Sequence, residues 1–269
     1  MTENKEIRVA VAGPRGRMGS ETIRMIAQAS ELKLVAAVDH GHDGEQVADV
    51  TGIVGLEGRV YTDIDACFSN ENIDVLIDFT NPESGKHNLQ KAIDYGVRPV
   101  IGTSGFTNDE VESYRRQMDE KKLGGIIAPN FAIGAVLVMK FSQMAAKYFP
   151  DAEIIELHHD KKKDAPSGTA IKTAELMTKT RTAKKQGAPD EKETLPGARG
   201  ADYEGMRIHS VRLPGLIAHQ EVLFGGKGEL LTLRHDSMDR ASFMTGVHYA
   251  ATTVMDLETL VYGLENILD

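Results

Sequence analysis

The N-terminal region alternates apolar runs with glycines in an order that few folds accommodate. Residues 7–12 form an apolar run rich in valine and isoleucine, and three glycines with the spacing G-x-x-G-x-x-G follow it. Residues 20–27 carry apolar side chains at helical spacing, and residues 32–38 form a second apolar run that ends at Asp39. Strand, glycine turn, helix and strand in this order predict a βαβ unit, from which parallel sheets are built.

The glycine turn and Asp39 together have the chemistry of a dinucleotide-binding site. Glycines allow the turn to close and a pyrophosphate to approach the backbone, while the N-terminus of the following helix faces its negative charge. A carboxylate about 20 residues further on is suited to accept hydrogen bonds from the adenosine ribose hydroxyls. Arg15 stands where the usual fingerprint has its second glycine. A generic βαβ turn is the alternative, and it does not account for an acidic residue at the end of the second strand.

Further strand and helix patterns continue this unit to about residue 130. Apolar runs at 73–79, 98–101 and 125–128 alternate with helical patterns at 87–95 and 108–122. Such alternation predicts an α/β fold with a doubly wound parallel sheet. Contacts to a cofactor are expected at the carboxyl ends of its strands, where the sequence has Gly102, Thr103, Ser104, Ala128, Pro129, Asn130 and Phe131.

The pattern changes after residue 130, which indicates a second, smaller α+β domain. Residues 133–148 predict a long helix, and the apolar runs between 206 and 235 predict antiparallel strands with a turn at Gly225-Gly226. The segment 178–205 is rich in Lys, Gly, Pro and Glu, and we expect a loop or a mobile flap there. These strands predict a mixed or antiparallel sheet.

The last part of the chain is expected to return to the first domain. Residues 240–257 predict a helix, and the tail from 261 to 268 is expected to pack on the first domain. We therefore predict that residues 1–130 and 240–269 form a dinucleotide-binding domain and that residues 131–239 form a substrate-binding domain.

A dense group of polar residues lies in the second domain, in the segment Glu156-Leu-His-His-Asp-Lys-Lys-Lys-Asp-Ala-Pro-Ser-Gly-Thr169. An apolar run precedes it and predicts a strand, while a run of good helix formers follows its Ser/Thr cap. Two histidines and three lysines therefore lie between a strand end and a helix N-terminus, which favours an anion. The segment predicts a pocket for a small carboxylate or phosphate, with histidine or lysine as proton donor. A solvated basic loop is the alternative, but it leaves the paired histidines unexplained.

Composition restricts the partners of the protein. A net charge of −9 and a pI near 5.5 argue against nucleic-acid binding, and a local basic loop on an acidic protein suits a small acidic substrate. No apolar run reaches transmembrane length, so we expect no membrane partner and a cytoplasmic location. Cys67 stands alone, which fits a reducing compartment, and we interpret it as a packing residue. His209, His219, His235 and His248 lack metal-ligand spacing, and we expect them to be hydrogen-bonded structural residues rather than parts of a metal site.

The two motifs together resemble the 4-hydroxy-tetrahydrodipicolinate reductase (dihydrodipicolinate reductase) family of bacterial lysine and diaminopimelate synthesis. The resemblance covers essentially the whole chain, including Phe79-Thr, Ile101-Gly-Thr and Pro129-Asn-Phe. It implies a Rossmann-like nucleotide domain and a second domain whose sheet builds a homotetramer. It also implies reduction of a cyclic imine dicarboxylate by NADH or NADPH.

The resemblance also implies residue roles. His158 corresponds to the proton donor and Lys162 to a second catalytic residue. His159, Ser167, Gly168 and Thr169 correspond to the site for a substrate carboxylate. The cofactor-binding positions are Gly13, Pro14, Arg15, Gly16, Arg17, Met18, Asp39, Gly102, Thr103, Ser104, Ala128, Pro129, Asn130 and Phe131.

Two other functions remain open from the sequence. Another dehydrogenase acting on a small amino or hydroxy acid would keep the glycine turn but give the His-His-Lys segment no particular substrate. A regulator that binds NAD(H) without turnover would need no proton donor, so His158 and Lys162 count against it. Pro14 and Arg15 depart from the usual glycine turn, Lys161 and Lys163 make the central loop unusually basic, and His40 replaces an arginine found in some family members. Asp39 favours NADH while Arg15, Arg17 and His40 offset its charge, so we expect both cofactors to be used.

Overall fold

The structure is a computed structural model that describes residues 6–268. The chain divides into two compact units, each with its own sheet. The first contains the residues up to Phe131 and those from Phe243 onward, and the second is Ala132–Ser242. Within residues 6–268, no helix combines the length and the apolar character that a membrane span needs.

Strands and helices alternate along the first unit, as the sequence predicts. Its elements before the second unit are β1 (Ile7–Ala12), α1 (Arg17–Gln28), β2 (Leu32–Val38), α2 (Val47–Thr51), β3 (Arg59–Tyr61), α3 (Ile64–Asn70), β4 (Val75–Asp78), α4 (Pro82–Tyr95), β5 (Arg98–Ile101), α5 (Asn108–Lys121) and β6 (Gly125–Ile127). The elements of the second unit follow, namely α6 (Ile133–Ala145), β7 (Asp151–His158), α7 (Gly168–Thr178), β8 (Ala201–Tyr203), β9 (Met206–Arg212), β10 (Ala218–Gly226) and β11 (Glu229–Ser237). The chain then completes the first unit with α8 (Met244–Thr253) and β12 (Leu260–Tyr262).

The sheet of the first unit confirms the predicted parallel, doubly wound fold. Its seven strands lie in the order β12-β6-β5-β4-β1-β2-β3, and all neighbours pair in parallel. The direction of winding reverses between β1 and β4, which is where ligands bind in sheets of this kind. All four residues of the central strand β4 are buried. The edge strand β12 comes from the C-terminal tail, so the tail packs on this unit as expected.

The second unit has a mixed sheet with the strand order β11-β10-β7-β9-β8. Only β7 and β9 pair in parallel, and the other neighbours are antiparallel. The predicted turn at Gly225-Gly226 was wrong, because both glycines belong to β10. The chain turns two residues later at Gly228, whose φ of 83° lies in the left-handed region that glycine adopts without strain.

One side of the second sheet is covered by its two helices. Ile154 on β7 and Phe224 on β10 are fully buried in a core with Met177 of α7. Because side chains alternate along a strand, the even-numbered residues of β7 all point to this covered side. Glu156 and His158 therefore share the face that carries the core.

The segment 178–205 is less irregular than expected. It contains β8, and the buried Arg181 fixes its course by donating to three backbone carbonyls. Nε donates to Pro150 O at 2.6 Å, Nη1 to Glu204 O at 2.9 Å and Nη2 to Lys184 O at 2.8 Å. An arginine that satisfies several carbonyls at once holds these backbone segments together. Residues 240–257 do not form the single helix that the sequence predicts. Instead, 3₁₀ turns at Arg240–Phe243 and Val254–Asp256 flank α8.

Candidate active site

The glycine turn between β1 and α1 is closed by direct backbone contact. Gly13 has a φ of 79°, and the amide of Gly16 donates to the Gly13 carbonyl at 3.0 Å. A Cβ atom on Gly19 would lie 2.0 Å from that same carbonyl oxygen, so only glycine allows α1 to approach the turn this closely. The turn therefore presents backbone amides and the start of α1 to one side of the sheet.

A cavity of about 1000 Å³ opens at the carboxyl ends of β1, β2 and β4. Four of the predicted cofactor residues line it, namely Gly13, Arg15, Gly16 and Asp39, together with His40 and Thr80. The volume is that of a site for a cofactor-sized ligand. The glycine turn and the acidic residue at the end of β2 border the same space, which is the arrangement that a dinucleotide requires.

Asp39 is bound on both oxygens by a residue of the glycine turn. Arg15 Nε donates to Oδ2 at 3.0 Å, Arg15 Nη2 donates to Oδ1 at 2.7 Å, and His40 Nδ1 lies 3.1 Å from Oδ1. Burial raises the pKa of Asp39, but the hydrogen bonds and charge of Arg15 lower it more, so the pKa lies below its ordinary value. Asp39 is thus an ionised carboxylate with a cation held beside it.

The other predicted cofactor residues occupy neighbouring positions of the first unit. Arg17 and Met18 are in the first turn of α1, directly after Pro14 and the glycines. Gly102–Ser104 follow β5 and Ala128–Phe131 follow β6, both at carboxyl ends of parallel strands. A Cβ on Gly102 would lie 2.1 Å from the ring of Phe79, and Phe79 stacks edge-to-face on Phe131 at 5.6 Å between ring centroids. Packing of the aromatic pair thus explains why this strand end carries a glycine.

The polar segment of the second unit runs from the end of β7 to the start of α7, as predicted. Ser167 caps α7, because its Oγ accepts a hydrogen bond from the Ala170 amide at 3.2 Å. Gly168 and Thr169 form the first turn of the helix. The helix N-terminus therefore lies on the same segment as His158 and His159, and amides of such a turn bind carboxylates.

Glu156 is the centre of this site, and it is fully buried. His158 Nδ1 lies 2.5 Å from Glu156 Oε2, and the Ser167 amide donates to Oε1 at 3.2 Å. Arg212 donates to both oxygens, with Nη1 at 2.9 Å from Oε2 and Nη2 at 2.7 Å from Oε1. Burial raises the pKa of Glu156, but the hydrogen bonds from His158 and Arg212 outweigh it and lower the pKa to about 2. Glu156 is therefore ionised at neutral pH.

Lys162 and Arg212 are both tied to the loop before α7. Lys162 Nζ donates to the two oxygens of Asp164 at 2.7 and 2.9 Å, and Arg212 Nη2 donates to the Asp164 carbonyl at 2.7 Å. The lysine side chain is 23 % exposed. Lys162 therefore contacts a carboxylate of the protein itself, that of Asp164.

Sequence reasoning missed Arg212 and the role of Glu156. A glutamate two residues before a histidine on a strand lies on the same face of the sheet. The pattern Glu-x-His could therefore have predicted that Glu156 lies beside His158. Arg212 lies far away in sequence and is brought in by the parallel pairing of β7 and β9, which places it opposite His158. No local pattern predicts such a pairing.

The surroundings of four further histidines and of Cys67 suit a structural role. His209 contacts Glu153, His219 contacts Asp236 and His248 contacts Glu31, all within hydrogen-bond distance. His235 differs, because it packs against Gly134 and burial lowers its pKa. Burial raises the pKa of Cys67 to about 12, so its thiol stays protonated and packs in the core.

Two family models divide the chain between them. The model for the N-terminus of dihydrodipicolinate reductase matches residues 7–131, and the model for the C-terminus of that enzyme matches residues 134–268. The two matched ranges correspond to the regions before and after the change of unit at residue 131.

Similar proteins named 4-hydroxy-tetrahydrodipicolinate reductase align with this chain over nearly their full length. The 4-hydroxy-tetrahydrodipicolinate reductase of Geobacillus kaustophilus strain HTA426 is 59% identical over 98% of this chain and 99% of its own. The protein of that name from Bacillus pumilus strain SAFR-032 is 58% identical over 99% of each chain. The solved structure of dipicolinate-bound dihydrodipicolinate reductase from Paenisporosarcina sp. TG-14 superposes with a TM-score of 0.90, at 51% identity over 98% of this chain and 100% of its own.

More distant structures share only the fold. The amine dehydrogenase of Mycobacterium smegmatis has a TM-score of 0.67 at 12% identity, over 96% of this chain and 95% of its own. Identity this low carries no information about substrate. The family models and the relatives of nearly 60% identity show the family directly: the chain belongs to the dihydrodipicolinate reductase family.

Proposed function

We propose that this chain is a 4-hydroxy-tetrahydrodipicolinate reductase that uses NADH or NADPH in lysine and diaminopimelate biosynthesis. The substrate is a small cyclic dicarboxylate. Loss of its hydroxyl as water gives dihydrodipicolinate, and addition of a hydride and a proton then gives tetrahydrodipicolinate. One observation carries the proposal: His158 is held by a buried carboxylate, on a segment that also carries Lys162 and a helix N-terminus, in a chain 59% identical to proteins of this name.

The cofactor is assigned to the first unit. Its pyrophosphate would lie on Gly13–Met18 and its adenosine ribose at Asp39, while Gly102–Ser104 and Ala128–Phe131 would contact the remainder. When bound, the reduced nicotinamide supplies the hydride. The cavity beside the glycine turn and Asp39 supports this assignment, because its lining offers backbone amides to phosphate and a carboxylate to hydroxyls.

The chemistry of proton transfer is assigned to the second unit. When hydride adds at C4 of the conjugated C=C–C=N system, electron density moves toward the ring nitrogen and C3 must gain a proton. His158 in its protonated form supplies that proton, because histidine changes charge near neutral pH. Lys162 stabilises the developing negative charge and exchanges Asp164 for a substrate carboxylate. His159, the Ser167 hydroxyl and the amides of Gly168 and Thr169 hold a carboxylate at the N-terminus of α7, since the Ser167 amide is bound to Glu156.

A coupled assay tests this function. Dihydrodipicolinate synthase generates the unstable substrate, and loss of reduced-nicotinamide absorbance is followed with each cofactor. We expect substrate-dependent oxidation of both NADH and NADPH. A small 2-hydroxy acid or amino acid, tested in reverse with the oxidised cofactors, serves as the control for another dehydrogenase. Turnover of such an acid without turnover of the synthase product would refute the proposal.

The assembly and location of the enzyme are part of the same proposal. We propose a cytoplasmic homotetramer built through the sheet of the second unit, with no nucleic-acid or membrane partner. The net charge of −9 supports the absence of a nucleic-acid partner. Sedimentation velocity that finds only a monomer at micromolar concentration would refute the tetramer.

A further inference from the structure

We propose that Glu156 and Arg212 form a positioning pair that fixes the tautomer of His158, so that the proton leaves from Nε2. This builds on the proposed function, in which His158 is the proton donor. Neither Glu156 nor Arg212 is required to touch the substrate. They act through the imidazole ring, by keeping one of its nitrogens occupied and the other available.

The first step is the geometry of the ring. Glu156 and His158 lie two residues apart on β7, so both side chains point to the same face of the sheet. His158 Nδ1 lies 2.5 Å from Glu156 Oε2. An ionised carboxylate only accepts hydrogen bonds, so the proton in this contact belongs to Nδ1. Within residues 6–268, no hydrogen bond occupies Nε2, which leaves that nitrogen for the substrate.

The second step is the rigidity of the carboxylate. Glu156 is fully buried, and each oxygen accepts from Arg212 and from at least one further donor, His158 on Oε2 and the Ser167 amide on Oε1, while the Ser210 side chain also hydrogen-bonds to the carboxylate. A carboxylate with two fixed donors on each oxygen cannot rotate without losing several charge-assisted hydrogen bonds. Arg212 is itself anchored, because Nη2 also donates to the Asp164 carbonyl.

The third step is the charge around the ring. Glu156 and Arg212 neutralise each other, and the carboxylate stays ionised, so it does not compete for the proton that His158 transfers. Of the other charged groups of this segment, Lys162 and Asp164 pair with each other, and Asp160, Lys161 and Lys163 make no hydrogen bond or ion pair with Glu156 or His158 in the part of the chain that the structure describes. On β10 the residue opposite Glu156 is the uncharged Gln220. His158 therefore alternates between imidazolium and the neutral Nδ1–H form, and the proton cycles on Nε2 alone.

The tautomer can be measured without any substrate. Solid-state ¹⁵N spectra of sedimented full-length protein labelled in histidine distinguish protonated from unprotonated ring nitrogens, and comparison with His158→Gln assigns the signals. At a pH where His158 is neutral, we expect a protonated Nδ1 and a bare Nε2. A neutral His158 with its proton on Nε2 would overturn the proposal. This readout decides the positioning role even if the chain fails to reduce the synthase product, which would refute only the proposed function.

The variant that tests the pair removes both charges together. Glu156→Leu with Arg212→Met avoids leaving a buried ion unpaired, and we expect it to lose the Nδ1–H preference. Its kcat should fall by at least about 10-fold, and by no more than the 10²–10⁴-fold expected for loss of the proton donor, with little change in KM. Glu156→Gln serves as a second variant if the double one does not fold.

Two controls separate positioning from a general structural effect. Glu153 lies on the same strand and accepts hydrogen bonds from Arg199 and His209, so Glu153→Leu with Arg199→Met removes an equivalent carboxylate–arginine pair from the opposite face. This variant should keep the His158 tautomer. In a His158→Gln background, loss of the Glu156–Arg212 pair should lower kcat no further. Losses that multiply, or a double variant with full kcat, would show that the pair does not act through His158.

Discussion

We expect Asp39 and Arg15 to set the relative affinity for the two cofactors. Asp39 is suited to accept hydrogen bonds from a ribose diol and repels a 2′-phosphate, whereas Arg15, bound to both Asp39 oxygens, offsets that repulsion. Asp39→Ala should therefore weaken NADH binding more than NADPH binding, because it removes the hydroxyl acceptor and frees the arginine. Titration calorimetry with each reduced cofactor measures the two dissociation constants. Equal losses for both would show that Asp39 does not lie at the ribose.

Substitution of the two proposed catalytic residues should change kcat and KM in different ways. His158→Gln should lower kcat by roughly 10²–10⁴-fold with little change in KM, because the donated proton matters in the transition state. Lys162→Ala should lower kcat and also raise KM, since we propose that the lysine holds a substrate carboxylate as well. Cofactor affinity should stay near the wild-type value in both. Full turnover by His158→Gln would remove that residue from the mechanism, and an unchanged KM in Lys162→Ala would remove the carboxylate contact.

Glu156 should also make stability depend on pH. Its pKa falls from 4.5 to about 2 on folding, so its contribution is present above the ordinary pKa and is lost as the pH falls from 4.5 toward 2. That contribution amounts to up to about 3 kcal/mol at neutral pH. Glu156→Gln should lower the free energy of unfolding at pH 7, and the difference from wild type should shrink with acid. Urea titrations across this range measure it, with the exposed Glu229→Gln as control; a constant difference would contradict the low pKa.

At the scale of elements, the glycine turn depends on the close approach of α1. Gly19→Ala would place a Cβ atom 2.0 Å from the Gly13 carbonyl oxygen, so the helix must shift. We expect a loss of about 1–3 kcal/mol in unfolding free energy and weaker cofactor binding. Gly225→Ala is the matched control, because nothing lies within 4 Å of its added Cβ and its backbone is extended. Wild-type affinity in Gly19→Ala would show that the turn does not hold the pyrophosphate.

The sequence patterns predicted elements that carry a continuous apolar run and missed short strands without one. β1, β2 and even the three-residue β6 were found at the predicted residues, whereas β3 and β8 have three residues each of mixed character and too little pattern to detect. The hairpin turn was misplaced because two glycines of β10 precede the glycine that turns the chain. Histidines and lysines of the central loop were visible as a motif, but Arg212 enters through strand pairing, which local sequence does not encode.

For the whole molecule, the proposed reaction requires the two units to act together. The cofactor is assigned to the first unit and the substrate to the second, yet hydride transfer needs contact between them. The chain passes between the units at about 131 and 242, and we expect hinge motion near residues 128–131 and 238–241 when both ligands bind. Small-angle scattering should show a smaller radius of gyration with NADH plus a dicarboxylate inhibitor than with either alone. An unchanged radius would argue against closure.

Transfer of label from cofactor to product tests the central claim most directly. The enzyme is given [4,4-²H₂]NADH and the substrate generated by dihydrodipicolinate synthase, and the product is analysed by mass spectrometry. We predict tetrahydrodipicolinate that carries one deuterium on carbon, because the hydride comes from the nicotinamide. A parallel reaction with unlabelled NADH in deuterium oxide should place deuterium at C3, the position to which we propose that His158 donates. Formation of the product without deuterium from the labelled cofactor would contradict the account.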